Sequence, residues 1–224
     1  MTAQNKYETI VFDMDGVLVD VTSSYRETIV RTVEHFTGQT VTATRIQEYK
    51  NSGGWNNDWL LSRRLAADFG VDVPYAEIVD YFNRVFLDEG LIHRERWIAS
   101  PGLLERLGED HRLAIFTGRS RLEASITLNR EGWQDRFFIV TSDDVANEKP
   151  APDGLHRIRE VFGRGPMLYI GDTVDDARAG RAAGVPFAGI ASPASPWRDE
   201  LARCLAQEGA IAVLDDINQL ETIL

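Results

Sequence analysis

Two aspartates stand one residue apart in the stretch VFDMDGVLVD, at Asp13 and Asp15. Carboxylates held ~4 Å apart repel by about 4 kcal/mol at an effective dielectric of 20, so a chain that pairs them must neutralise the second or use it. Three further polar stretches each follow a short apolar run: Thr117 in FTGR, Lys149 in EKPAPD, and Asp172 to Asp176 in GDTVDD. Together these residue types read as a site for phosphoryl transfer. Asp13, Asp172 and Asp176 offer hard oxygen atoms, the donor set that suits Mg²⁺. A bound cation would cancel their repulsion and attract a phosphate, and Lys149 adds a fixed positive charge. Thr117 offers a hydroxyl donor, and the Gly118 amide is open to close approach. Phosphoryl transfer asks mainly for an aligned nucleophile and stabilised equatorial oxygens. Asp13 is then expected to be the nucleophile, forming an aspartyl phosphate. Asp15 is expected to face the leaving oxygen, protonate it, and later activate water.

A fold must gather these stretches. The apolar runs TIVF, LAIF, FFIV, MLYI and FAGI have the form of strands buried on both faces of a sheet. Helical stretches lie between most of them. PGLLERL opens with a proline suited to a first helical turn, while RLEASITLNREG and DDARAGRAAG stop at Gly132 and Gly184. The alternation predicts an α/β protein with a parallel sheet. In such sheets ligands sit at the carboxyl ends of strands, which is where all four polar stretches fall.

Residues 21–98 break the alternation. Tyr25, Ile29, Val33 and Phe36 form a helical stripe, as do Leu61, Leu65 and Phe69, and again Ile78, Phe82, Val85 and Phe86. The segment is too long for one crossover, so it is read as an inserted helical domain at 21–98, with the core at 1–20 and 99–224. The stripes are read as core packing.

At these residues the sequence resembles the haloacid dehalogenase superfamily. DMDGVLVD is similar to its first motif, Thr117 to its second, Lys149 to its third and GDTVDD to its fourth, in the right order along essentially the whole chain. The resemblance implies a Rossmann-like core with an inserted α-helical cap, as in phosphoglycolate phosphatases and β-phosphoglucomutases. It also implies that Asp15 joins the Mg²⁺ shell through its backbone carbonyl. Dehalogenases and phosphonatases of this superfamily lack the second aspartate, so Asp15 favours cleavage of a phosphate ester, or mutase chemistry. The spacing in GDTVDD makes Asp176 the motif aspartate, with Asp175 either a ligand or a helix-end charge.

Taken singly, Asp13 also reads as a strand end, Asp172 as a helix cap and Lys149 as a surface lysine. Arg119 reads as a substrate contact or as half of a salt bridge. The loop KNSGGWNNDW brings Lys50, Asn51, Trp55 and Asn57 together as donors and flat apolar faces; the resemblance to capped phosphatases implies that it closes over substrate, with Asn56 or Asn57 capping the next helix. Asp20 is read as a hinge or cap residue, Asp143 and Asp144 as loop caps, and the four histidines as structural or surface groups.

The formal net charge of −11 argues against nucleic-acid polymers and anionic membranes as partners, but a cation-bearing site still admits a small phosphorylated metabolite. The single cysteine, Cys204, excludes an intrachain disulfide and is expected to be a buried inert thiol. The opening residues MTAQNKYET carry no apolar leader and no run approaches the ~18 residues of a membrane span, so the expected compartment is the cytoplasm. The reading is therefore a Mg²⁺-dependent phosphatase of a small phosphomonoester. Its rivals are a β-phosphoglucomutase-like enzyme and, more distantly, a receiver-like or non-catalytic phosphate-binding protein. In a receiver the accepting aspartate follows a later strand and no long insert intervenes. Sugar phosphates, phosphoglycolate, histidinol phosphate and nucleotides all remain open as substrates.

Overall fold

A computed structural model describes residues 6–224; residues 1–5, part of the stretch read for a leader, lie outside the described residues. The chain forms two compact units. One takes the residues up to Val19 together with Trp97–Leu224, and the other runs from Asp20 to Arg96.

The first unit is built on a six-stranded parallel sheet. Its strands are β1 (Thr9–Phe12), β4 (Arg112–Phe116), β5 (Phe138–Val140), β6 (Met167–Gly171), β7 (Phe187–Ile190) and β8 (Ala212–Leu214), in the order β5-β4-β1-β6-β7-β8. Phe12 lies opposite Ile115 on one side and Ile170 on the other. All four residues of β1 are buried, as continuous apolar runs in a doubly covered sheet should be. The covering helices are α5 (Leu103–Asp110), α6 (Arg121–Glu131), α7 (Asp153–Phe162), α8 (Val174–Ala183) and α9 (Arg198–Gln207). Val11, Phe116, Tyr169, Leu155, Ile158 and Leu205 belong to one buried hydrophobic cluster. The chain adds β4 and β5 on one side of β1, then β6 to β8 on the other. That reversal puts the switch point beside β1, where a crevice opens at the strand ends.

One local expectation changes, and one strand was not anticipated. Pro101 stands ahead of α5 rather than in its first turn, because Gly102, at φ 85°, is the N-cap. The strand β8 has only three residues and gives no extended apolar run.

The second unit holds α1 (Tyr25–Thr37), α2 (Ala43–Ser52), α3 (Asp58–Asp68) and α4 (Tyr75–Asn83), followed by a π-helical turn at Arg84–Asp88 and a 3-10 turn at Leu91–Arg94. Tyr25, Ile29, Val33, Leu61, Leu65, Ile78, Phe82, Val85 and Phe86 are all buried. The Tyr25 and Phe86 rings are 4.1 Å apart. Phe69 departs from its stripe: it lies just past the end of α3 and is 42% exposed. The chain passes between the units at β2 (Val19–Asp20) and β3 (Arg96–Trp97), which pair as a separate two-stranded sheet. Asp20 accepts a hydrogen bond from Thr22 N at 3.0 Å and pairs with Arg96, consistent with a capping residue at this joint. Among the described residues, no helix is long and apolar enough to cross a membrane.

Candidate active site

Asp13 follows β1 directly, and its amide donates to Ile170 O at 2.8 Å, so the sheet ladder itself fixes where this carboxylate begins. Asp172 and Asp176 come from the turn after β6 and the first turn of α8. One oxygen from each of the three lies within 4.8 Å of the others. Lys149, on the loop between β5 and α7, inserts its fully buried ammonium between Asp13 Oδ1 and Asp176 Oδ1, at 2.8 Å from each. The ammonium also lies 4.9 Å from the centre of the Phe116 ring, a favourable face for a desolvated cation.

Asp176 is the most firmly held of the three. Tyr169 Oη donates to its Oδ1 at 2.5 Å, and Thr173 donates to its Oδ2 through both N and Oγ1, at 3.0 and 2.6 Å. Thr173 in turn accepts from Asp176 N, completing a capping box at the start of α8. With Lys149 added, the roughly four acceptor positions of the Asp176 carboxylate are engaged. A metal drawing directly on Asp176 must displace one of these donors.

Gly16 supplies a second observation about fit. It adopts φ +71°, and a Cβ there would stand 2.0 Å from Asp172 Oδ2. Only glycine lets the chain turn this close to the carboxylate. The all-oxygen donors and this close approach fit a hard divalent cation such as Mg²⁺.

The electrostatics separate the carboxylates. Burial pushes Asp13 up to about 7; Lys149 pulls against this, while Asp176 and Asp15 add to it. Burial also opposes ionisation of Asp176, but the Lys149 charge and the hydrogen bonds from Lys149, Thr173 and Tyr169 hold it below the ordinary range. Burial pushes the Tyr169 phenol up, in the same direction as the neighbouring negative charge of Asp176, so it remains a donor.

Asp15 is absent from this cluster. Its Oδ1 accepts from Arg119 Nε at 2.9 Å and Arg119 Nη2 at 2.5 Å. The neutralising partner of the second aspartate is therefore an arginine, and of the two readings of Arg119 the ion pair is the one formed. Thr117 is buried at the end of β4, its N donating to Val140 O at 3.0 Å and its Oγ1 accepting from Arg119 N at 3.2 Å. Gly118 lies between them. Asp143 and Asp144 act as caps, the first accepting from Arg121 N and the second closing a capping box with Thr141.

Of the residues expected on one loop, Lys50 and Asn51 stand in the last turn of α2, and only Trp55 and Asn57 fall between α2 and α3; all four are engaged within the helical unit. Lys50 pairs with Asp58 at 2.6 Å, and Asn51 Oδ1 accepts from Gln47 at 2.7 Å. Trp55 meets Tyr49 edge to face at 4.9 Å, and Asn57 caps α3 by accepting from Trp59 N and Leu60 N. His35 stacks on Tyr81 and His111 bonds Tyr7 O; no histidine joins the acidic cluster found among the described residues. Cys204 is partly exposed on α9 rather than buried.

The sequence offered no role for Tyr169, and for Arg119 it offered a salt bridge without the partner, Asp15. Tyr169 carried a signal: a phenol within an otherwise aliphatic buried run needs a hydrogen-bond partner. Arg119 carried a weaker one, an arginine two residues past Thr117 at the end of the strand beside β1.

Residues 7–184 match the family of haloacid dehalogenase-like hydrolases. The chain is 31% identical over 229 residues to an imidazoleglycerol-phosphate dehydratase of Phytophthora nicotianae; the match covers 92% of this chain and 50% of that protein, so the chain spans about half its length. It is 43% identical over 213 residues to a phosphoglycolate phosphatase of Escherichia coli strain K12, covering 83% of each. A crystal structure of a putative β-phosphoglucomutase from Thermotoga maritima superposes with a TM-score of 0.69 over 97% of this chain and 100% of that one. At 21% identity, that likeness is one of fold.

Proposed function

This chain belongs to the family of haloacid dehalogenase-like hydrolases, and we propose that it is a phosphatase that hydrolyses a small soluble phosphomonoester through an aspartyl phosphate on Asp13. The observation that carries this reading is the buried Lys149 held between Asp13 and Asp176, with Asp172 beside them at the carboxyl end of the central strand. An Asp13 oxygen attacks phosphorus, and the bond from phosphorus to the leaving oxygen breaks. Asp15 gives that oxygen a proton, and then takes one from the water that attacks the aspartyl phosphate. Thr117 and the Gly118 amide face the equatorial oxygens, and Lys149 offsets the negative charge on the nucleophile's side.

Asp13 and Asp172 would hold Mg²⁺, joined by the Asp15 carbonyl as the family resemblance implies, with Asp176 holding Lys149 beside them. When bound, the cation supplies positive charge at the phosphoryl oxygens. Chelator is expected to abolish turnover and added Mg²⁺ to restore it, measured as phosphate release. Full activity in a verified metal-free preparation would remove the metal from this proposal.

A panel of phosphomonoesters tests the reaction and narrows the substrate. The phosphoglycolate phosphatase relative supports a small phosphate ester that bears a carboxylate, and the dehydratase relative supports one that bears an imidazole, so phosphoglycolate and histidinol phosphate belong beside sugar phosphates and nucleotides. Release of inorganic phosphate supports hydrolysis; isomer formation without release supports a mutase. Lys50, Asn51, Trp55 and Asn57 stand in this proposal as the substrate-selecting segment. Repeating the panel on Trp55→Ala is expected to reorder KM among substrates, and an unchanged ranking would remove the loop from that role.

A further inference from the structure

Arg119 is charged and 2% exposed, and all three of its guanidinium nitrogens are engaged. Nε and Nη2 converge on Asp15 Oδ1, while Nη1 donates to Thr127 Oγ1 on α6 at 2.8 Å. Its backbone is fixed on both sides. Arg119 N donates to Thr117 Oγ1, and Arg119 O accepts from Ser142 N at 3.0 Å and Ser142 Oγ at 3.1 Å. The next residue, Ser120, begins α6 with a capping box closed by Glu123. An arginine meant for substrate would present donors to the crevice; this one spends them on protein.

We propose that Arg119 is the positioning residue for the acid/base: it holds the Asp15 carboxylate in one orientation, with Oδ1 taken and Oδ2 kept as the edge that meets the leaving oxygen. The proposal rests on the reading of Asp15 given above. The physical reason is geometric. A proton donor works only within about 2.6–3.2 Å of the atom it serves, and an unrestrained aspartate rotates about two torsions. A misplacement of about 1 Å can cost on the order of 10²-fold in rate. Two charge-assisted bonds from a planar guanidinium, itself tied to Thr127, restrict that rotation more than a single lysine bond does.

The test compares kcat/KM for an alkyl phosphate and for p-nitrophenyl phosphate, because kcat/KM reports the steps up to departure of the leaving group. The variants are Arg119→Lys, which keeps the buried charge but loses the fork, Arg119→Met, and each combined with Asp15→Asn. Arg119→Lys is expected to lower the alkyl value at least about tenfold more than the aryl value, with Arg119→Met reaching about 10²-fold. In the Asp15→Asn background neither is expected to change the alkyl value by more than about twofold, since the two residues act as one unit. A second, milder variant, Thr127→Val, frees Nη1 and is expected to shift selectivity in the same direction.

A merely structural arginine would lower alkyl and aryl values equally, and its effect would multiply with that of Asp15→Asn. Either result overturns the positioning role. If Asp15→Asn itself shows no alkyl selectivity, the assignment of the acid/base fails instead. The two failures are therefore distinguishable. Arg119→Lys keeps the measurement possible should Arg119→Met fail to fold.

Discussion

Asp13→Asn is expected to lower kcat on the order of 10³-fold or more, with no burst of product in the first turnover. The substitution keeps the shape of the side chain and removes the charge that attacks phosphorus. It leaves Lys149 its second partner, Asp176, at 2.8 Å, so the cluster stays assembled. Rapid quench with p-nitrophenyl phosphate measures the burst, and trapping with a fluoride–metal phosphate mimic is expected to seat the phosphorus analogue beside Asp13 in the unsubstituted protein. Labelling on a serine, threonine or histidine instead would contradict the mechanism. Stability gives an independent readout. Burial pushes the Asp13 carboxyl up to about 7 from its usual 3.8, so between those values the folded state keeps a proton that the unfolded chain gives up. Without metal, the Asp13 contribution to stability is therefore expected to fall as pH rises from about 4 to about 7 and to level off above that. Asp13→Asn is expected to flatten this slope in urea unfolding measured in excess chelator. A slope unchanged by the substitution would assign it to other groups.

Asp15→Asn should produce a different pattern, because its role is proton transfer. A sugar alkoxide is a poor leaving group and needs a proton in the transition state, whereas p-nitrophenolate departs with little help. The first step is expected to slow about 10²- to 10⁴-fold for alkyl phosphates and much less for aryl phosphates. Hydrolysis of the aspartyl phosphate needs a base whichever substrate formed it, so that step slows for both. With p-nitrophenyl phosphate the variant is therefore expected to release one nitrophenol per active site rapidly and then turn over slowly. Absence of that burst, with Mg²⁺ and substrate still bound normally, would remove Asp15 from the acid/base role.

The strands that position this site were legible because each is an apolar run closed by a turn signal. TIVF, LAIF, FFIV, MLYI and FAGI all correspond to strands of the six-stranded sheet. The three residues of β8 were not, since so short a run carries no period. The helical stripes were legible in the same way, except at Phe69, where the helix ends before the pattern does. Within the site, Asp13, Asp172, Asp176 and Lys149 announced themselves by type, since three carboxylates and a lysine at strand ends have few structural uses together. What holds them was harder to see. Arg119 meets Asp15 across 104 positions of chain, and no local spacing records that pairing. The engagement of Asp176 by Tyr169 and Thr173 mixes a strand residue seven positions away with a cap three positions away, and only the cap follows a sequence rule.

The pairing of β2 with β3 also bears on how such a protein can change. The chain departs at Val19–Asp20 and returns at Arg96–Trp97, and the two passages are hydrogen-bonded neighbours. Ile98 N, just after the return, bonds Leu18 O at 2.8 Å, just before the departure. The whole excursion is thus a detour that begins and ends in one place and contributes no strand to the six-stranded sheet. A segment with adjacent ends can be lengthened, shortened or exchanged without altering the register of the strands that hold Asp13 and Lys149. Grafting can therefore treat residues 20–96 as a cassette, with the paired strands as its splice points, while the reacting groups stay on an unchanged frame.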